Sequence, residues 1–150
     1  MKATGTRNRT ASLLFVCSAN RCRSPMAAGI FRSILGDEPG WQVGSAGTWA
    51  VEGLPVLPEV LDVMAGRGID LTRHRARQVS RQLLAASRLV LVMEPGQQEA
   101  IQSEFPEIAG AVFLLSEMSG VWQPVTDPAG GSLKDYETTA SELERLLKNG

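Results

Sequence analysis

The sequence has 150 residues, of which 43% are hydrophobic and 21% charged, and its formal net charge is −1. This length and balance are typical of one globular domain, and the charge gives no general preference for nucleic acid or membranes. No apolar run approaches the roughly 20 residues of a membrane span, and two cysteines are too few for a secreted disulfide framework. A reducing cytoplasm is therefore the expected compartment.

Residues 1–11 are polar and basic, and the apolar run Leu13–Cys17 that follows is too short for the core of a signal peptide. We therefore expect 1–11 to be a flexible tail and 12–150 to form one domain. Short apolar runs predict strands at 12–16, 41–45, 88–93 and 111–115. Amphipathic stretches predict helices at 25–35, about 58–65 and 95–105, and a C-terminal helix with a buried stripe of Tyr136, Ala140, Leu143 and Leu147.

Strands that alternate with helices are typical of βαβ units. The order of elements therefore predicts an α/β fold, a single three-layer domain in which a four-stranded parallel sheet has helices on both faces. Gly66 or Gly68 is expected to end the second helix in a left-handed cap. Ligands of such sheets bind beyond the carboxyl ends of the strands, so the segments that follow strands are the candidate sites.

The segment after the first strand, Cys17–Pro25, has the features of a phosphate-binding loop. Pro25 suits the first position of a helix, so the N–H groups of the loop and the positive end of the helix would converge on one anion. The same dipoles would stabilise a Cys17 thiolate, and the planar guanidinium of Arg23 can grip two phosphate oxygens. The Cys-x5-Arg spacing alone is weakly specific, and Cys17 has a second interpretation as a small buried hydrophobic residue.

A thiolate that attacks phosphorus needs an acid to protonate the leaving group and later to activate water. The candidate is Asp127, in the turn-rich segment Val125–Gly131. This segment follows the fourth strand, so it shares the carboxyl edge of the sheet with the Cys17 loop. Asp-Pro is also a common start of a turn, which leaves a purely structural interpretation of Asp127 open.

Several separated motifs together resemble the low-molecular-weight protein tyrosine phosphatase family. They are, in chain order, Val16–Cys17 with Asn20 and Cys22–Ala27, Ser45–Thr48, Gly68–Asp70 with His74–Arg77, and Asp127–Pro128 with Gly130–Leu133. The resemblance extends from Leu13 to the last helix. It implies a protein phosphatase that hydrolyses phosphotyrosine (aryl phosphate) monoesters through a phosphocysteine intermediate, and we expect it to need no metal or other cofactor.

The resemblance also implies the residues that act. Cys17 is the expected nucleophile, Arg23 the clamp on the transition state, and Asp127 the general acid and then base. Substrate-binding positions are expected at Ser18, Ala19, Asn20, Arg21, Cys22, Ser24 and Trp49.

Three of the implied residues act on the loop itself. Asn20 would hold a strained loop conformation, which its tolerance of a left-handed φ suits. Ser24 would donate its hydroxyl to the Cys17 thiolate, and His74 would support Asn20. Without the resemblance, His74 would be a surface residue of the basic stretch Arg67–Arg81, and that alternative stays open.

Some positions depart from the family pattern. Ala19 stands where glycine is common, which is tolerable only with a negative φ. Arg21 stands at a usually apolar or small position that lines the pocket, where it would either favour anionic substrates or point to solvent. Ala129 stands where an aromatic ring often packs on the substrate, and Trp49 would either supply that wall or pack elsewhere. The substrate preference is therefore open.

Cys22 has two interpretations. It would form a reversible disulfide that protects Cys17 from over-oxidation, or it is a small residue buried behind the loop. We favour the first as a hypothesis, because the two cysteines are five residues apart across a tight loop.

Three rival functions fit parts of the pattern. Thioredoxin-linked arsenate reductase resembles this fold but needs cysteines well downstream, and none follows Cys22. A non-catalytic phosphate-binding module needs neither thiol nor acid. A protein-arginine phosphatase has the same scaffold, but Arg21 would place a like charge against a bound guanidinium. The resemblance suggests a phosphotyrosine protein as partner, such as a bacterial tyrosine autokinase, and the oligomeric state is open.

Overall fold

The computed structural model describes residues 11–119 and 124–149. The expected tail lies outside the described residues except for Ala11, which begins the first strand. The strands are β1 (Ala11–Cys17), β2 (Trp41–Gly47), β3 (Leu89–Val92) and β4 (Val112–Leu114). The α-helices within the described ranges are α1 (Arg23–Leu35), α2 (Pro58–Ala65), α3 (Arg81–Ala85), α4 (Pro95–Glu104) and α5 (Leu133–Asn149). Two 3₁₀ helices cover Pro106–Ala111 and Leu115–Ser119.

The four strands form one parallel sheet in the order β2-β1-β3-β4. In the register of this sheet Val16 pairs with both Ala46 and Val92, so β1 lies at its centre. Leu114 of β4 pairs with Val92 in turn. The carboxyl ends of all four strands therefore meet at one edge, and the segments after Cys17 and Leu114 emerge there together.

The two faces of the sheet bury separate cores. Phe15 of β1 packs on one face with residues of α1, α2 and α5. Leu14 and Val16 pack on the other face with residues of α3 and α4. Phe15 and Val16 are both 0% exposed, and burial of each such side chain contributes about 1.5–3 kcal/mol. The prediction of a three-layer α/β domain with a four-stranded parallel sheet is confirmed.

Local features depart from the sequence-based expectations. The left-handed cap after α2 lies at Gly68, with φ of 77°, and the alternative at Gly66 is wrong because that residue remains in the right-handed helical region. The N–H of Ile69 donates a hydrogen bond to the carbonyl of Met64, which closes the helix end.

The short helix α3 was not expected. The hydroxyl of Ser80 caps it by accepting a hydrogen bond from the N–H of Leu83 at 3.1 Å.

Helix α1 begins at Arg23, two residues before the expected start. The predicted strands at 88–93 and 111–115 are trimmed at both ends to Leu89–Val92 and Val112–Leu114. Among the described residues, no helix is long and apolar enough to cross a membrane.

Candidate active site

The sulfur of Cys17 lies where β1 ends and the loop to α1 begins. The side chain is buried, and the N–H of Ser24, in the first turn of α1, donates to Sγ at 3.4 Å. The hydroxyl oxygen of Ser24 lies 3.0 Å from the same sulfur. The N–H of Ser24 and the positive end of the α1 dipole therefore point at Sγ, so the sulfur lies where a helix N-terminus can also bind an anion.

Asn20 fixes the shape of this loop. Its φ is 59°, in the left-handed region, and it is 0% exposed. Its Nδ2 donates to Ser24 Oγ at 2.8 Å and to Ser45 Oγ at 3.0 Å, while Oδ1 accepts from the N–H of Arg77 at 2.9 Å. Because Asn20 already donates to Ser24 Oγ, the single hydroxyl proton of Ser24 is left for one of two acceptors, Cys17 Sγ at 3.0 Å or the carbonyl of Ala46 at 3.4 Å, and Cys17 is the nearer.

Two positions of the expected substrate-binding set, Asn20 and Ser24, have fully buried side chains. Asn20 and Ser24 are both 0% exposed, and neither contributes to the wall of the pocket above Cys17. The side chain of Asn20 instead bonds to Ser24, Ser45 and Arg77, and that of Ser24 contacts Cys17. A substrate-binding role for these two positions of the loop stays a prediction. Among the described residues Asn20 is the only non-glycine with a positive φ. Ala19 therefore has the negative φ that alanine requires at a position where glycine is common.

His74 lies behind the loop. Its Nε2 is 2.8 Å from the carbonyl oxygen of Asn20, so the ring donates its Nε2–H to that carbonyl. Partial burial lowers the pKa of His74, the hydrogen bond to Asn20 opposes this, and nearby arginines such as Arg32 lower it further. The contact with Asn20 contradicts the alternative in which His74 is a free surface residue.

The end of β2 closes the loop from a second side. The N–H of Thr48 donates to the carbonyl of Cys17 at 3.0 Å, and the N–H of Trp49 donates to the carbonyl of Ser18 at 2.8 Å. A Cβ at Gly47 would collide with the backbone carbonyl of Ser18. Only glycine allows β2 to approach the loop this closely.

Arg23 is held by a carboxylate that the sequence analysis did not single out. It is 2% exposed, and its Nη1 donates to Glu94 Oε2 at 2.5 Å and to the carbonyl of Val125 at 2.8 Å. Its Nη2 lies 3.7 Å from Asp127 Oδ2. The guanidinium is thus fixed on one side by Glu94 and Val125, and its other nitrogen faces the predicted acid.

Asp127 lies across the pocket from the loop. Its side chain is about half exposed, and Oδ1 accepts from the N–H of Ala129 at 3.0 Å, the turn geometry expected of Asp-Pro. Asp127 lines one pocket of about 200 Å³ together with Cys17 and Arg23. The other lining residues are Ser18, Ala19, Arg21, Cys22, Leu57 and Ala129. The structure therefore brings the three predicted catalytic residues together.

Gln97, at the start of α4, is a second residue that the sequence analysis missed. It is 4% exposed, its Oε1 accepts from the N–H groups of Met93 and Glu94, and its Nε2 donates to Ser18 Oγ at 3.1 Å. Both Glu94 and Gln97 follow β3 at the carboxyl edge of the sheet. The rule that pointed to Asp127 after β4 would have pointed to them as well.

Trp49 does not line the pocket. Its side chain is 86% exposed, so the interpretation as a packing residue is wrong. The pocket that contains Cys17, Arg23 and Asp127 has Leu57 in its wall instead. Leu57 was not expected there, and the N–H that it donates to the carbonyl of Arg21 at 3.1 Å brings it to the loop.

Cys22 is buried at the base of the pocket, with its Sγ 3.8 Å from Met26 Sδ. Burial, followed by the neighbouring Cys17 and Asp127, raises the pKa of Cys22 to about 12. Cys22 is therefore a protonated thiol at neutral pH. Both cysteines are free, and the protective disulfide stays a prediction.

Comparisons with known proteins agree with this geometry. The sequence profile of the family described as low molecular weight phosphotyrosine protein phosphatase matches residues 12–149. A probable low molecular weight protein-tyrosine-phosphatase, EpsP of Ralstonia nicotianae, is 40% identical over 134 residues, 89% of each chain. A protein-arginine-phosphatase of Bacillus subtilis is 36% identical over 138 residues, 91% of each chain.

A solved structure gives the same result. The crystal structure of a low molecular weight protein tyrosine phosphatase from T. tengcongensis has a TM-score of 0.89 and 38% identity, and the match covers 93% of this chain and 96% of that chain. The chain therefore belongs to the low molecular weight phosphotyrosine protein phosphatase family, as the motifs of its sequence predict.

Proposed function

We propose that this chain hydrolyses phosphotyrosine monoesters in proteins by two successive displacements at phosphorus. The observation that carries the proposal is the convergence of three groups on one pocket: the Cys17 sulfur, the Arg23 guanidinium and the Asp127 carboxyl group. A thiol at a helix N-terminus is a nucleophile, the guanidinium is a phosphate clamp, and the carboxyl group is a proton donor.

In the first displacement the Cys17 thiolate attacks phosphorus, and an S–P bond forms as the P–O bond to the tyrosine ring breaks. Arg23 and the loop N–H groups stabilise the charge on the equatorial oxygens. Protonated Asp127 gives its proton to the leaving phenolate. Glu94 and Val125 contribute by holding the guanidinium in place before the substrate arrives.

In the second displacement water attacks the phosphocysteine. Asp127, now a carboxylate, accepts a proton from the water as the new P–O bond forms and the S–P bond breaks. The hydroxyl of Ser24, 3.0 Å from the sulfur, donates to the departing thiolate of Cys17. Inorganic phosphate leaves, and Cys17 returns to its starting state.

The relatives include both tyrosine and arginine phosphatases, and Arg21 favours tyrosine for this chain. Arg21 and Leu57 line the same pocket. A phosphotyrosine ring is uncharged and packs on an apolar side chain such as that of Leu57. A phosphoarginine would bring a guanidinium toward the guanidinium of Arg21, and like charges repel. As substrate we propose a bacterial tyrosine autokinase or another phosphotyrosine protein of the cytoplasm, a proposal that rests on the family resemblance.

The test is hydrolysis of an aryl phosphate, without added metal, by the wild type and by Cys17→Ser and Asp127→Asn. We expect no turnover in Cys17→Ser and a loss of about 10²–10⁴-fold in kcat for Asp127→Asn. Asp37→Asn, the same change at an exposed aspartate after α1, is the control and should behave as wild type. Phosphotyrosine and phosphoarginine peptides of one sequence then separate the two substrate classes.

Turnover that persists in Cys17→Ser would overturn the proposed chemistry. A higher kcat/KM for the phosphoarginine peptide would overturn the substrate assignment and leave the chemistry intact. An inactive wild type, folded and reduced, would favour a phosphate-binding role.

A further inference from the structure

The pocket holds a second arginine beside Arg23. Arg21 is half-buried and lines the pocket together with Leu57 and Ala129. Its Nε donates to the carbonyl of Pro55 at 2.7 Å, and its own carbonyl accepts from the N–H of Leu57. The stem of the side chain is therefore tethered to the loop before α2, and the guanidinium is held at the pocket instead of moving freely in solvent.

The charges of the two arginines are compensated differently. Arg23 has Glu94 at 2.5 Å and Asp127 at 3.7 Å. Among the described residues, by contrast, Arg21 has no carboxylate within 4 Å, and the only hydrogen bond of its side chain there uses Nε. The terminal nitrogens of Arg21 thus form an uncompensated cation on the pocket wall. A planar guanidinium in this state is suited to a carboxylate, which it binds through two parallel hydrogen bonds.

We infer that Arg21 is a specificity-determining residue that binds the carboxylate of an acidic residue flanking the phosphotyrosine of the substrate. The substrate class is then phosphotyrosine within an acidic stretch of a protein. The inference rests on the proposed function, because it requires the phosphate to bind at Cys17 and Arg23 with the substrate ring between Leu57 and Ala129. The peptide on either side of that ring must pass the wall of the pocket, to which Arg21 contributes.

The expected size of the preference for an acidic flanking residue follows from the exposure of the ion pair that Arg21 would form with its carboxylate. An ion pair at a partly exposed site changes a binding constant or a rate constant by about twofold to fivefold. We therefore expect kcat/KM to be about twofold to fivefold higher for a phosphotyrosine flanked by glutamate than for one flanked by glutamine. The preference should weaken as salt is raised, because salt screens partly exposed charges.

The experiment uses three phosphotyrosine peptides that differ only in the flanking residues, which are glutamate, glutamine or lysine. Each is hydrolysed by the full chain, by Arg21→Gln and by Arg21→Glu, and the readout is the ratio of kcat/KM between peptides within one enzyme. This ratio cancels any loss of folded protein in a variant. Arg88→Gln is the matched control, because Arg88 is exposed and lies next to β3 at the opposite edge of the sheet from the pocket.

We expect Arg21→Gln to bring the glutamate-to-glutamine ratio to about one and Arg21→Glu to favour the lysine peptide, while Arg88→Gln keeps the wild-type ratio. An unchanged ratio in Arg21→Gln would overturn the inference, as would an equal change in Arg88→Gln. If wild type hydrolyses the glutamine peptide with no preference for glutamate, only this inference fails. If it hydrolyses none of the three peptides, the proposed function fails as well.

Discussion

Replacing Asn20 by alanine tests whether one side chain holds the phosphate-binding loop in shape. The change removes three hydrogen bonds, to Ser24, Ser45 and Arg77, from a residue that is 0% exposed. It also places alanine at a φ of 59°. Each hydrogen bond contributes about 1 kcal/mol net, and the left-handed backbone costs alanine about 1 kcal/mol more. The free energy of unfolding should therefore fall by about 4 kcal/mol, a large part of the roughly 5–15 kcal/mol of a typical domain.

The assay is urea denaturation at neutral pH, with two companion variants that separate the contributions. Asn20→Gly loses the same hydrogen bonds but adopts the left-handed φ without strain, so it should be about 1 kcal/mol more stable than Asn20→Ala. Ser45→Ala removes one of the acceptors of Asn20 and should cost about 1 kcal/mol. Aryl phosphate hydrolysis by the folded fraction of Asn20→Gly should also fall, because the hydroxyl of Ser24 loses the contact that directs it to Cys17.

Two results would refute this reasoning. A loss below about 1 kcal/mol in Asn20→Ala would mean that the loop keeps its shape without these hydrogen bonds. An Asn20→Gly variant no more stable than Asn20→Ala would mean that the backbone at this position leaves the left-handed region once the side chain is gone.

Three further predictions concern neighbouring groups. Glu94→Gln should lower the free energy of unfolding by about 1–2 kcal/mol in urea, because glutamine keeps an acceptor for the buried guanidinium but loses the charge. The same change at exposed Glu99, on the helix that Glu94 precedes, should stay within about 0.5 kcal/mol of wild type. The pKa of His74 is lowered from 6.5, so the unfolded chain takes up its proton first as the pH falls. The stability due to neutral His74 should therefore be complete above pH 6.5 and decline below it, and the difference in unfolding free energy between wild type and His74→Gln should shrink from pH 7.5 to 5.5. Because the pKa of Cys22 is about 12, iodoacetamide at neutral pH should label Cys17 far ahead of Cys22 in peptide mass spectra.

Each of these expectations has a contradicting result. Equal losses in Glu94→Gln and Glu99→Gln would mean that the ion pair adds nothing beyond a surface charge. A stability difference for His74→Gln that grows toward pH 5.5 would mean that the folded state binds the proton more tightly than the unfolded chain. Labelling of Cys22 at a rate similar to Cys17 would mean that its thiol is neither shielded nor held protonated.

The fold was largely predictable because its signals are local and repeated. The strand cores are short apolar runs, and the alternation of strands with helices leaves few topologies for the sheet. Helix α3 was missed because the five residues Arg81–Ala85 are too few to show a helical period. The bounds of β3 and β4 moved by one residue at each end. At β4 the apolar residues Ala111 and Leu115 belong to the flanking 3₁₀ helices, and an apolar run alone does not separate such residues from the strand.

The site was predictable where its residues obey one rule, that ligands bind beyond the carboxyl ends of parallel strands. Cys17 and Asp127 each follow a strand at the carboxyl edge, and that position alone places them in one pocket. Glu94 also follows a strand, but a glutamate directly before a proline is common where a helix begins. The sequence therefore gave no reason to predict that Glu94 contacts Arg23. The sequence left open whether Trp49 contributes to the pocket wall and did not point to Leu57, because a sequence gives no direction for the side chains of an irregular loop.

The hydrogen bond from Arg23 to the carbonyl of Val125 joins residues 102 positions apart, and this has a consequence for the order in which the site forms. Ribosomes add about 5–20 residues per second, so Val125 is made roughly 5–20 s after Arg23. For that interval the growing chain carries the Cys17–Arg23 segment without Asp127 and without the Val125 carbonyl that holds the arginine. A nascent chain that ends before Val125 therefore has the thiol and the arginine but not the acid, and the site is complete only once the residues after β4 have been made and have packed against it.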